Sequence, residues 1–244
     1  IIPTYYLAMA LSLALIATWI GKPEHTHWDV SIPVSFRDVA LHAALLQDWF
    51  SSSTFKINHP HWSVAVEWKI YFLFPLLLLL RTRIGVARTA MLALGLGYAT
   101  WFVLSRLGVG NTSPWGSSPY YVGLFALCML AAELTETRLW RSSMSVARTR
   151  LLFGLASAAV VAVTMVRLPG GRHIALQWTS AVVGTWAAST LVALRMAVLT
   201  VVNKVVTARP AVALGKIGYS LYLLHAPIVQ MVYLYVVRGS GVSA

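Results

Sequence analysis

Acidic side chains are scarce in this chain of 244 residues: Asp and Glu total 7 against 19 Lys and Arg, and charged residues of all kinds reach only 11%. A soluble domain carries roughly a quarter charged residues, so this composition excludes an ordinary water-facing globular surface. One cysteine, Cys128, sits inside an apolar run. It excludes an intrachain disulfide, leaves the redox compartment open, and reads as a small apolar packing residue. Glycine-rich phosphate cradles and a GxSxG nucleophile elbow are missing, which removes the motif-based routes to nucleotide binding and serine hydrolysis. The opening at Ile1 has no basic n-region before an apolar stretch and is not read as a signal peptide. Internal repeats, low-complexity tracts and a second domain are not visible, so residues 1–244 read as one domain.

What the chain does have is apolar surface: 58% of its residues are hydrophobic. Long apolar runs extend over Pro3 to Ile20, Trp62 to Leu80, Thr89 to Leu107, Pro119 to Leu134, Leu151 to Leu168, Ala175 to Met196 and Ala213 to Val237. Each approaches the ~20 residues that cross a bilayer as a helix. None alternates with period two, so helices are expected rather than strands. The fold class expected is all-α: a polytopic membrane bundle of about seven spanning helices. The net charge of +12 would suggest nucleic acid in a soluble protein. Here the basic residues lie between apolar runs, with no interleaved basic and aromatic patch, so nucleic acid is not an expected partner.

Basic residues also orient the bundle, because cytoplasmic loops are enriched in them. With the first run entering from the cytoplasm, Arg81, Arg83, Arg88, Arg138, Arg141, Arg148, Arg150, Arg195, Lys204, Arg209 and Lys216 face inward. The loop from Gly21 to His61 then faces outward. Within it, Val39 to Phe50 is apolar but too short to span, and reads as an interfacial or re-entrant helix.

Polar residues inside apolar runs carry the functional signal. A carboxylate in a membrane segment is costly unless paired or hydrated, and Glu67 lies inside the second run. Ser63, Glu67 and Tyr71 follow at intervals of four and share a helix face. Trp62 opens that helix at the outer interface. Lys69 reads as a snorkelling lysine. In the last run, Tyr222 and His225 share a face, and Pro227 should free a backbone carbonyl nearby. A lone membrane histidine is as often a packing group as a catalyst, and Glu67 could equally be a packing ion-pair partner; both readings stay open. The pairs His25 and His27, and His59 and His61, have ligand-like spacing, but no acid or cysteine completes a convincing set, so no metal is expected.

The stretch His61-Trp62-Ser63-Val64-Ala65-Val66-Glu67-Trp68-Lys69-Ile70-Tyr71-Phe72-Leu73-Phe74-Pro75 resembles a hallmark of the membrane-bound acyltransferase-3 family, W-S-L-x-V-E-x-x-F-Y-L-L-x-P. Trp62, Ser63, Val66, Glu67, Tyr71, Leu73 and Pro75 match it. Leu214 to Pro227 is similar to the family's late motif, L-G-x-x-S-Y-x-L-Y-L-x-H-x-P, with Gly218 where serine is usual. Tyr120 to Ala132 is similar to the family's helix before a basic cytoplasmic loop. The three landmarks come in the family's order and cover essentially the whole chain.

The resemblance implies an integral membrane enzyme, in the bacterial cytoplasmic membrane, that moves an acyl group, acetyl first among candidates. The donor would be cytoplasmic acyl-CoA, with no resident cofactor. The acceptor would be a hydroxyl of a cell-envelope glycan or small molecule. The family's presumed catalytic histidine, preceded by an arginine, lies in its first helix, and no such pair occurs here. The opening looks like the stretch after the family's second helix, and the C-terminus stops soon after the late motif, where a further helix is common. A fragment without acyltransferase activity of its own is therefore expected. Its catalytic residue stays unknown, with Glu67, Ser63 and His225 as supporting residues and Trp62, Tyr71 and Tyr222 as substrate-binding ones. O-acylation needs a base for the hydroxyl proton and donors for the oxyanion, and these side chains are the available polar lining. The alternative is a secondary transporter or flippase for an envelope precursor, which would also keep acids and histidines at mid-membrane.

Overall fold

The computed structural model describes residues 1–110, 116, 118–136, 146–165, 167–168, 172–173, 186 and 200–238. Their helices are α1 (Ile2–Leu15), α2 (Phe36–Ala43), α3 (His61–Ile84), α4 (Val86–Leu107), α5 (Tyr120–Glu136), α6 (Val146–Met165), α7 (Thr200–Val206) and α8 (Arg209–Val232). α1 and α8 continue into π-helical turns at Ile16–Ile20 and Tyr233–Val237, and 3-10 turns occupy His27–Ser31 and Gln47–Trp49. The extended structure among these residues is a two-residue antiparallel pair, Arg167–Leu168 with Arg172–His173.

This is the all-α architecture expected, and the bilayer explains it. Lipid offers no hydrogen bonds, so a spanning segment must satisfy its backbone internally, as a helix does. Ile2–Ile20, α3, α4 and Arg209–Val237 are long and apolar enough to cross a membrane. α5 and α6 contribute shorter apolar stretches, Tyr120–Glu133 and Phe153–Ala162. The expected run Ala175 to Met196 lies outside the described residues apart from Trp186, as does the basic stretch 138–145. The apolar side chains point outward: only 11% of the spanning window of α4 is buried, and Met91, Leu96 and Phe102 are exposed. Such an outward apolar face suits a lipid solvent.

The chain forms two compact units. The first comprises residues 1–69, 109–117 and 212–244. Its core gathers Tyr5 and Met9 of α1, Leu45 and Ile57 of the following loop, Val64 and Ala65 of α3, and Leu223 of α8. The loop is folded tightly. Ser35 and Asp38 form a reciprocal capping box at the start of α2. Ser53 Oγ donates to the other Asp38 oxygen at 2.7 Å. The helix expected over Val39 to Phe50 is instead shorter and starts earlier. It ends where Leu45 takes a left-handed φ of 55°, letting the Leu46 N–H reach back to the Leu41 carbonyl at 2.9 Å. Lys69 is not a snorkelling lysine: its ammonium pairs with the buried Asp48 carboxylate and lies over the Trp49 ring. A buried carboxylate without a cation costs more than the lysine gains by reaching water.

The second unit comprises residues 70–108 and 118–211. α4 and α5 pack closely in it because each offers a glycine to the other. A Cβ on Gly97 would sit 2.8 Å from Tyr120 Cα, and one on Gly123 would sit 2.6 Å from Leu94 Cα. Small residues at such crossings let backbones approach, which is how lipid-embedded helices gain contact. Tyr98 stacks on Tyr120 with ring centroids 5.1 Å apart. Arg81 Nε donates to Glu133 Oε2 at 2.6 Å. Gly85, at φ 83°, makes the turn from α3 into α4 that a residue with a Cβ would resist. Cys128 is exposed on α5 rather than packed.

Candidate functional site

The start of α3 and the C-terminal half of α8 are tied together by polar side chains in the first unit. Pro227 has no N–H, so the Leu223 carbonyl one turn earlier loses its helical partner. Asn58 Nδ2 donates to that carbonyl at 2.7 Å and to Ser12 Oγ of α1 at 3.1 Å. The Ser63 and Tyr222 hydroxyls lie 2.9 Å apart, and both also reach the Pro60 carbonyl, at 3.1 and 3.3 Å. His225 Nδ1 lies 2.6 Å from the Tyr222 carbonyl. A carbonyl only accepts, so Nδ1 carries a proton and Nε2 is the ring nitrogen left to face a ligand.

A cleft of about 370 Å³ opens beside this junction, lined by His27, Trp28, His59, His225, Gln230 and Tyr233, among others. A neighbouring recess of about 350 Å³ shares His27 and His59 and adds Phe55 and Trp62. The imidazoles form a chain: His27 and His59 are 4.7 Å apart by ring centroid, and His59 and His225 6.3 Å apart. Burial pushes His59 down to about 4, and the neighbouring His27 and His225 push the same way. His59 is therefore neutral at pH 7, with Nδ1 3.4 Å from Ser31 Oγ. Trp28 is held by its Nε1 donating to the Ile20 carbonyl at 2.9 Å. Thr26 Oγ1 donates to Gln230 Oε1 at 2.8 Å. Beyond the cleft, Arg238 pairs with Glu24.

A second cluster lies fully inside the unit. His42, His61 and Gln47 are buried around Tyr5. Tyr5 donates its hydroxyl to the His42 carbonyl at 3.0 Å, and Gln47 Nε2 donates to the His61 carbonyl at 3.1 Å. His42 Nδ1 donates to the Asp38 carbonyl at 2.9 Å, and burial pushes His42 down to about 4. Burial also pushes Asp38 up, but hydrogen bonds from Ser35 and Ser53 outweigh it and hold the carboxyl below its usual range.

Of the residues read from the sequence, Ser63, Tyr222, Trp62 and His225 converge around this region. Glu67 is half-buried and Tyr71 exposed, and neither lines the cleft. The two His-X-His pairs are split. His27 meets His59, whereas His61 packs against Tyr5 with ring centroids 4.7 Å apart. No group of three metal-ligating side chains is arranged to hold an ion among the described residues. Sequence reading passed over Thr26, Asn58 and Gln230. Gln230 had a usable signal, a lone amide in an apolar run. Asn58 had none, because its partner is a backbone carbonyl.

A family model described as an acyltransferase domain, that of the acyltransferase-3 family, matches residues 2–242. No curated protein and no solved structure matches the chain.

Proposed function

Since the chain belongs to the acyltransferase-3 family, and is therefore a membrane acyltransferase, we propose that it transfers an acyl group, acetyl first among candidates, from cytoplasmic acyl-CoA to a hydroxyl of a cell-envelope glycan or small-molecule acceptor. The observation that carries this reading is the meeting of two distant motifs through the Ser63–Tyr222 hydroxyl pair at 2.9 Å, with His59, just ahead of the first motif, against the His225 ring. In the transfer, the acceptor oxygen attacks the thioester carbonyl, the C–S bond breaks, and the acceptor proton leaves through a base to the departing thiolate. His225 offers Nε2 to the acceptor hydroxyl. Ser63 and Tyr222 position that end of the acceptor. Glu67, half-buried, follows Ser63 by one turn of α3 and is a supporting residue in this reading. Trp62 shapes the adjoining recess.

The test uses sealed membrane vesicles from cells expressing the complete coding sequence, given acyl-CoA labelled on the acyl carbon. Label should appear on the acceptor. Glu67→Gln should reduce that transfer more than it reduces protein level; equal losses would make Glu67 a folding residue. Movement of the acceptor across the membrane with the label still on CoA would establish the transporter reading instead.

A further inference from the structure

A groove of about 200 Å³ lies within the second unit, between α3, α4 and the start of α5. Leu77, Ala93 and Gly97 are its buried floor, while Leu76, Leu92 and Leu96 beside them are exposed. The groove therefore opens outward, on the apolar surface that the fold turns to lipid. Thr100 is the one lining residue with a polar side chain, and none of the lining residues ionises. Such walls suit a hydrocarbon chain and disfavour any group that must shed its water to enter.

Both helices carry the groove toward an arginine. On α3, Leu73, Leu76 and Leu80 recur at helical spacing, and Arg83 is the next position on that stripe. On α4, Thr100, Leu96 and Leu92 recur every four residues toward the helix start, and Arg88 is the next position there. α3 ends at Ile84 and α4 begins at Val86, with Gly85 alone between them, so the two stripes finish at one turn. Arg83 and Arg88 are exposed and have no ion-pair partner among the described residues, whereas Arg81 is taken by Glu133. From Leu92 to Thr100 the helix rises about 12 Å, most of the ~15 Å of hydrocarbon in one leaflet.

An apolar trough ending at two unspent guanidiniums fits a molecule with a hydrocarbon chain and an anionic phosphate head. Guanidinium forks match phosphate oxygens in geometry and charge. A zwitterionic phospholipid brings its own cation to the headgroup and gains less from them. Basic pockets between spanning helices take anionic lipid headgroups in this way. We propose that this groove binds one anionic phospholipid of the surrounding bilayer, with its phosphate held by Arg83 and Arg88 and one acyl chain laid along Leu76, Leu92 and Leu96. The site lies wholly within the second unit and is independent of the acyl-transfer reading.

Native mass spectrometry of the complete protein in detergent, titrated with dioleoyl phosphatidylglycerol or dioleoyl phosphatidylcholine, tests it. The first phosphatidylglycerol should bind roughly 5- to 30-fold more tightly than the first phosphatidylcholine, the effect of one to two arginines near the headgroups. Replacing both, Arg83→Gln with Arg88→Gln, should bring the two affinities together. Arg106→Gln, in the last turn of α4, should leave the preference as it is. Because both arginines are exposed and unpaired, the double variant should unfold at the same temperature as the unaltered protein when lipid is absent. A competition that needs no variant adds a second reading. Glycerol 3-phosphate, which has the phosphate but no chain, should not displace the bound lipid, and neither should acetyl-CoA. Equal affinity for the two lipids in the unaltered protein would overturn the proposal. So would a preference that survives the double variant, one lost equally in Arg106→Gln, or displacement by either soluble phosphate.

Discussion

Asn58 donates its side-chain amide to the Leu223 backbone carbonyl at 2.7 Å, and Pro227 is the reason that carbonyl is available. In an unbroken helix the N–H four residues on would take it; proline supplies none. A buried loop residue thus replaces a missing helical bond and ties α8 to the loop before α3. The same amide reaches Ser12 of α1, so one side chain joins three parts of the first unit.

Asn58→Ala should lower stability by about 1–3 kcal/mol, the cost of leaving a buried acceptor unmet. In a Pro227→Ala background the helix recovers its own N–H, so the further loss from Asn58→Ala should be smaller. A double-mutant cycle of denaturant unfolding in detergent would measure the difference. Strict additivity would mean that Asn58 does not serve that carbonyl.

The α4–α5 contact predicts a position-specific response to one methyl group. Gly97→Ala and Gly123→Ala push a Cβ against backbone atoms and should each cost about 1–3 kcal/mol through overpacking. Gly95 lies on the same helix as Gly97, but a Cβ there meets nothing within 4 Å. Gly95→Ala should be neutral, or stabilising by up to about 1 kcal/mol through helix propensity. Thermal unfolding of the three variants would separate packing from propensity.

Stability should fall as pH drops from about 6.5 to 4. His42 and His59 sit at about 4 in the folded chain against an ordinary value of 6.5. In that window the unfolded chain binds protons that the folded one refuses, so acid favours unfolding. For His42, which is fully buried, the full effect is on the order of 3 kcal/mol. The lowered Asp38 adds a further loss at more acid pH, below its ordinary value of 3.8. His42→Phe should make the slope between pH 6.5 and 4 shallower without flattening it, because His59 titrates in the same window. An unchanged slope in unfolding free energy would remove His42 from this account.

The charge pattern of the loops predicts sidedness. In a Cys128→Ser background, a cysteine at Ser52 in the Gly21 to His61 loop should react with an impermeant maleimide added outside intact cells. A cysteine at Arg83 should react only after permeabilisation. Labelling of both from one side would reverse the topology for one of them.

Several of these features were legible in the sequence because they depend only on near neighbours along the chain. Run length and the absence of period-two alternation were enough for helices in lipid. A spacing of three was enough to place Tyr222 beside His225, and a proline at 227 was enough to free a carbonyl. The motifs around Glu67 and His225 were enough for the family. The tertiary structure alone decided the partners. Nothing local says that Asn58 meets Leu223, that Thr26 reaches Gln230 across 204 residues, that Lys69 takes Asp48, or that His27 pairs with His59 rather than with its neighbour His25. A polar side chain in an apolar run advertises a need for a partner, and many residues in this chain share the chemistry to answer it. Which one does so depends on how separated helices and one folded loop bring their ends together, and residue spacing does not encode that.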